Sequence, residues 1–176
     1  MGFLMFTARV HDLARQRSDT QYKLLKISKK LRDLQQYAAM VGNGNISVGD
    51  LLSSPGSMMG RSMAYIGYAH NNALQYMQAN APMMQAMYQQ QMGGAMQNPQ
   101  QMQMMQNYIM RTLYIQGREQ AAQEEQRNLK VEEGKLAQEK DTLQALLQEI
   151  DTELQEAKKA RDEDIKLMAP KYTASA

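Results

Sequence analysis

The sequence predicts an all-α chain: a long helical hairpin, or coiled coil, with short Met-rich helices between its two long helices. Three observations predict it. Apolar residues recur every seven positions through the last third of the chain. A second seven-residue repeat opens the chain. The two repeats carry opposite net charge, so the helices that hold them are matched to lie side by side.

Residues 1–41 form the first element, a basic heptad helix. Phe3, Val10, Leu24, Leu31 and Ala38 share one heptad position, and Phe6, Leu13, Ile27, Leu34 and Val41 share the other. This spacing keeps one seam turned toward a partner helix. Arg17 and Thr20 interrupt the seam. Gly42, directly after Val41, fits a C-terminal cap. At ~1.5 Å per residue the helix is about 60 Å long.

Residues 42–57 read as a connector. The run from Gly42 to Asp50 is rich in Gly and Asn, but no Lys and hydroxyl residue follow its glycines, so it is not a phosphate-cradling Walker loop. Ser54 and Pro55 fit a helix cap followed by proline at the first helical position.

Residues 58–98 read as a Met/Gln/Tyr-rich helical interface region. From Met58 to Ala79, Met59, Met63, Ile66, Ala73 and Met77 keep roughly helical spacing. Gly60, Ala64, Gly67 and Ala69 between them allow close approach, and Tyr65, Tyr68 and Tyr76 add contact area with a polar tip. From Ala79 to Gln106 the composition narrows to Met and Gln with Ala, Asn, Gly and Pro, punctuated by Pro82, Gly93-Gly94 and Pro99. Such a run is either loose and adhesive or ordered by packing against copies of itself, with methionines filling uneven gaps. Its scarcity of charge favours packing.

Residues 99–169 form the long C-terminal helix. Asn98-Pro99 followed by Gln101 suits its start. Tyr108, Ile115, Ala122, Leu129, Leu136, Leu143, Ile150 and Ala157 recur every seven residues, joined by Leu147 and Leu154. The companion positions in the first half are Glu119, Gln126, Glu133 and Lys140, so the apolar seam is strongest from Leu136 to Leu154. Gly117 and Gly134 cost about 1 kcal/mol each in a helix interior. The helix would span on the order of 100 Å and needs a partner along most of it. Residues 170–176 are an extended tail.

Charge divides along the same lines. Residues 1–41 carry eight basic and three acidic side chains, residues 108–176 carry 11 basic and 14 acidic ones, and Asp50 and Arg61 are the only charges between. With two Phe, no Trp, 17 Met and a mean hydropathy of -0.61, the chain has little material for a globular core. The absence of Cys excludes disulfides, thiol catalysis and Cys-ligated metal. Met1 to Phe6 is too short for a signal peptide, and Phe6 stands where myristoylation asks for Ser or Thr. Nothing reaches the length of a membrane span. The expectation is a cytoplasmic protein, or one exported without a cleaved signal peptide.

No constellation of residues points to catalysis, a cofactor or a metal. His11 and His70 are the only histidines, and no Ser–His–Asp arrangement has support. The acidic residues of the last helix alternate with Lys and Arg and read as a solvated face without the cavity that acid–base chemistry needs. Met59 and Met63, or Met102, Met104 and Met105, offer thioethers to copper(I), but Cys and dense His are missing, so they read as packing residues. Lys23, Lys26, Lys29, Lys30 and Arg32 form a basic cluster that nucleic acid could use, yet Leu24, Ile27, Leu31 and Leu34 first need a helical partner. Membrane contact would use Phe3, Leu4, Met5 and Phe6 beside Arg9.

The expected role is therefore a non-enzymatic structural subunit that self-assembles through helix packing into a filament, tube or similar polymer. Its interface would be drawn from the two seams together with Met59, Met63 and Ile66. The layout resembles flagellin-like and type III secretion filament subunits, whose terminal helices pair as a coiled coil around a variable middle. Those subunits carry no cleaved leader and often no cysteine. Phage or other capsid-associated tube proteins fit the layout equally. The alternatives are a cytoplasmic coiled-coil adaptor that binds other coiled-coil proteins, and a peripheral membrane organiser that uses the apolar N-terminus.

Overall fold

The computed structural model describes residues 2–42, 48–92 and 99–168. They form three helices, α1 (Gly2–Gly42), α2 (Met59–Met92) and α3 (Pro99–Met168), with a short 3-10 helix, Val48–Ser53, before α2. The fold is all-α, with α1 and α2 both packed on α3. It is thus a three-helix arrangement and not a plain two-helix hairpin with short caps. The connector at 43–47, the Gly93-Gly94 break, Asn98 and the tail from Pro170 lie outside the described residues.

The chain divides into two units. The first comprises residues 1–31 and 134–176. Here Val10 and Leu13 of α1 form one buried cluster with Ile150, Leu154 and Ala157 of α3. The helices run antiparallel, and the ion pairs Arg9–Glu153 at 2.5 Å and Arg17–Asp151 at 2.6 Å flank the cluster. Basic α1 and acidic α3 meet as their charges suggest. Along α1, the buried positions Leu13, Thr20, Ile27, Leu34 and Val41 are seven residues apart. Thr20 therefore continues the seam instead of breaking it. Its methyl group and small size let it occupy a core position, and only Arg17 turns outward.

The second unit, residues 32–133, contains all of α2. Residue numbers rise along α2 as their partners' numbers fall along α3: Arg61 meets Glu125, His70 meets Tyr114, and Ala81 clusters with Ile109 and Leu113. The two helices are antiparallel. Burial on α3 changes period here. Ile109 and Leu113 are 1% and 2% exposed, whereas Tyr108 and Ile115 are 59% and 46% exposed. With Gly117 and Ala121 they make a row of buried residues four apart. A matching row on α2 holds Tyr65, Ala69, Ala73 and Ala81. Rows spaced by four are the ridges that interlock when two helices cross closely. The seven-residue repeat fails at Tyr108 and Ile115 because their stretch packs on α2 through small residues.

Helix α2 is one helix of 34 residues that passes through Pro82, not a set of short helices ending near Ala79. Pro82 removes one backbone donor and is exposed. The start of α2 also differs from expectation. Ser54 and Pro55 precede the helix by a full turn: Met58 N donates to Pro55 O at 2.8 Å, and Ser62 N donates to Met58 O at 2.8 Å. Ser54 Oγ instead bonds Ser62 Oγ at 2.9 Å. Proline does open α3, where its missing N–H is one of those a helix start leaves without partners.

Candidate functional site

The second unit carries the two arrangements that could support a function. The first is a polar junction of all three helices. Arg61, the one charged residue of α2, donates from Nε to Glu125 Oε1 at 2.8 Å and from Nη1 to Glu132 Oε2 at 2.5 Å. Its guanidinium carbon stands 5.6 Å from the centroid of the Tyr37 ring. The Tyr37 hydroxyl donates to the same Glu125 oxygen at 3.1 Å. Burial and the Glu125 carboxylate both push the Tyr37 phenol well above its ordinary pKa of 10.0. Burial works against the Arg61 charge, but the hydrogen bonds and charges of Glu132 and Glu125 outweigh it and raise its pKa. Burial likewise raises the Tyr65 pKa, against the pull of the Arg118 charge. The Tyr37 and Tyr65 phenols therefore stay protonated and the Arg61 guanidinium stays charged near neutral pH. The junction ties α1, α2 and α3 together through these hydrogen bonds.

The second arrangement is an open groove of about 310 Å³ between α2 and α3, lined by Tyr76, Asn80, Met83, Met84, Met87, Tyr88, Leu113 and Gln116. Leu113 in its lining belongs to the buried cluster with Ala81 and Ile109, on which Tyr76, Met84 and Tyr88 also pack. Its rims are methionines three and four residues apart on α2, so they share one face. Asn80 Nδ2 donates to Tyr76 O at 2.8 Å, and none of the lining residues carries a charge. Residues 62–110 contain no Asp, Glu, Lys or Arg at all. Met63, Tyr68, Met83, Met87, Met102, Met104, Tyr108 and Met110 are exposed on this stretch. Gln100, Gln103, Met104 and Asn107 line a second shallow hollow at the start of α3. Neutral Met, Gln, Asn and Tyr are thus the dominant surface chemistry of α2 and early α3.

The residues expected to form an interface divide three ways. Val10, Leu13, Ile27, Leu34, Leu129, Ile150 and Leu154 are buried within the chain. Phe3, Phe6, Leu24, Leu31, Ile66, Leu136, Leu143 and Leu147 are half-buried. Met59, Met63, Tyr108 and Ile115 are exposed. The structure brings Val10 and Leu13 together with Ile150 and Leu154. The close helix approach on α2 comes from Ala69 and Ala73, while Gly60 and Gly67 face open space.

Sequence reasoning did not pick out Arg61, Glu125 and Tyr37 as a unit, nor the groove formed by Met83, Met84 and Met87. A lone Arg at the head of a long uncharged run was the available signal for the first. His70 Nδ1 lies 2.9 Å from the Tyr114 hydroxyl, and their rings meet edge to face at 5.8 Å. Among the described residues no cluster of three His, Cys, Asp or Glu could hold a metal ion. No described helix is long and apolar enough to cross a membrane. No family model, no curated protein and no solved structure matches the chain.

Proposed function

We propose that this chain is a non-catalytic structural subunit that self-assembles, with a second copy covering the Met/Tyr face of α2 and the first turns of α3. One observation carries the reading: a stretch from residue 62 to 110 has no charged side chain and still presents exposed methionines and tyrosines. Exposed apolar surface on this scale marks a contact site. The absence of charge selects the partner. A partner with its own charges would strand them without counter-ions, and burying an unpaired charge is strongly unfavourable. A second copy brings none. Gln and Asn amides both donate and accept hydrogen bonds, so the face is complementary to itself. Thioethers adapt to uneven gaps between the copies.

The paired α1–α3 segment then serves as a coiled-coil hairpin that gives the subunit its stiffness. If the contact joins different patches on successive copies it does not close, and the product is a filament, tube or similar polymer. The layout likeness to flagellin-like and type III secretion subunits supports this form. The test is negative-stain microscopy of the purified chain with limited proteolysis of α2 and early α3. Self-assembly predicts long particles and protection at Gln89, Gln90 and Gln100 to Gln106. Small soluble dimers or trimers, cut rapidly there, would favour a coiled-coil adaptor.

A further inference from the structure

Helix α1 has a second face, separate in chemistry from the groove. Its buried line in the first unit passes through Val10, Leu13, Thr20 and Ile27. Away from that line, Tyr22 and Leu25 are 68% and 69% exposed, and Leu4 and Met5 near the helix start are 73% and 74% exposed. Tyr22, Leu25, Lys26 and Lys29 are three and four residues apart and share one stripe. Arg15 lies two turns before Tyr22, and Lys23 and Lys30 border the stripe. Arg9 and Arg17 are engaged by α3 carboxylates, but Arg15, Lys23, Lys26, Lys29 and Lys30 form no ion pair among the described residues. Asp19 is the only acidic residue from Arg15 to Lys30.

We propose that this face of α1 docks on the surface of an anionic lipid bilayer. Uncompensated cations define the sign of the partner, and exposed Leu and Tyr among them define its kind. Nucleic-acid phosphates would take up the charges but leave Leu25 with nothing to enter. At a bilayer, leucine and tyrosine enter the boundary between headgroups and acyl chains, while lysine stems lie along it and keep their ammonium groups at the phosphates. Each Lys beside an anionic leaflet strengthens partitioning about fivefold. The helix lies on the membrane and does not cross it, in keeping with its mixed composition. Phe3 and Phe6 are half-buried, so the apolar contribution at the start of α1 falls to Leu4 and Met5. This surface does not depend on the self-assembly reading, since it lies on a different helix and carries cations where that face carries no charge.

Flotation of the full chain with phosphatidylcholine vesicles, with and without phosphatidylserine, tests the proposal. The expected result is binding only when phosphatidylserine is present, weakening as salt is raised. Lys26→Gln, Lys29→Gln and Lys30→Gln together should lower partitioning about 100-fold. Leu25→Ser, with every cation kept, should lower it about tenfold. These side chains are exposed, so circular dichroism should report unchanged helix, and light scattering should report an unchanged assembly state. Failure to bind phosphatidylserine vesicles, equal binding to phosphatidylcholine alone, full binding by Leu25→Ser, or binding to duplex DNA in place of vesicles would each overturn it.

Discussion

A Cβ placed on Gly117 would lie 2.7 Å from the Ala73 Cα and 3.0 Å from the Tyr76 Cβ. The backbones of α2 and α3 approach closely there, and the missing side chain makes that approach possible. Helix propensity alone would favour alanine at this position by about 1 kcal/mol. The approach reverses the sign, because a helix backbone cannot step aside as a flexible side chain can. Gly117→Ala should destabilise the chain by about 1–3 kcal/mol. Gly134, also within α3, has nothing within 4 Å of its Cβ position. Gly134→Ala should stabilise by up to about 1 kcal/mol. Urea unfolding of the two variants should move the midpoint in opposite directions.

Removing Arg61 should be costly for what it leaves behind. The Glu125 side chain is only 16% exposed and would lose its counter-ion. Arg61→Leu should lower stability by about 1–3 kcal/mol, discounted from the fully buried case because Arg61 is itself 30% exposed. Glu132→Gln should cost less than about 1 kcal/mol, since that carboxylate is 46% exposed. Thermal melts of the two variants check the order.

Pro82 lies inside α2 at an exposed position and lacks the backbone N–H that the helix would use there. Pro82→Ala should raise stability by about 1–3 kcal/mol, restoring a backbone donor at an exposed position inside the helix. An unchanged or lower Tm would show that the proline is compensated by its neighbours.

Alkaline pH should loosen the three-helix junction. Burial and Glu125 raise the Tyr37 pKa above its unfolded value of 10.0. A raised pKa means that, once the pH passes the unfolded value, the unfolded chain releases a proton that the folded chain still holds. The stabilisation is therefore complete below about pH 10 and falls as pH rises through the folded value. Tm should decline as pH rises above about 10, and Tyr37→Phe should flatten the decline. A Tyr37→Phe variant with the same alkaline slope as the parent would exclude this tyrosine as its source.

Much of the helix content was legible in the sequence. A seven-residue repeat signals one continuous seam, and Leu13, Ile27, Leu34, Leu129, Ile150 and Leu154 are buried as that seam requires. Opposite charge matched α1 to the later part of α3, but the partner of early α3 was not legible, because a repeat says that a helix is covered without saying by what. At Tyr108 and Ile115 the covering helix is α2, and its alanine row selects Ile109 and Leu113 instead. Pro82 suggested an interruption, yet α2 runs through it, with Ala69, Ala73 and Ala81 buried along its length. Of the proposed contact face, the composition was visible in advance. Its geometry was not, because Met83, Met84 and Met87 become a groove only beside Leu113 and Gln116.

Sedimentation velocity across a concentration series, comparing the unmodified chain with Met83→Glu/Met87→Glu, tests the central claim most directly. Both methionines are exposed in the isolated chain, so the substitutions should leave its fold and Tm intact. Two copies, however, would have to bury unpaired carboxylates at the groove. The account predicts large, concentration-dependent species for the unmodified chain and a folded monomer for the double variant. A monomeric unmodified chain at every concentration, or assembly undiminished by the two carboxylates, would contradict it.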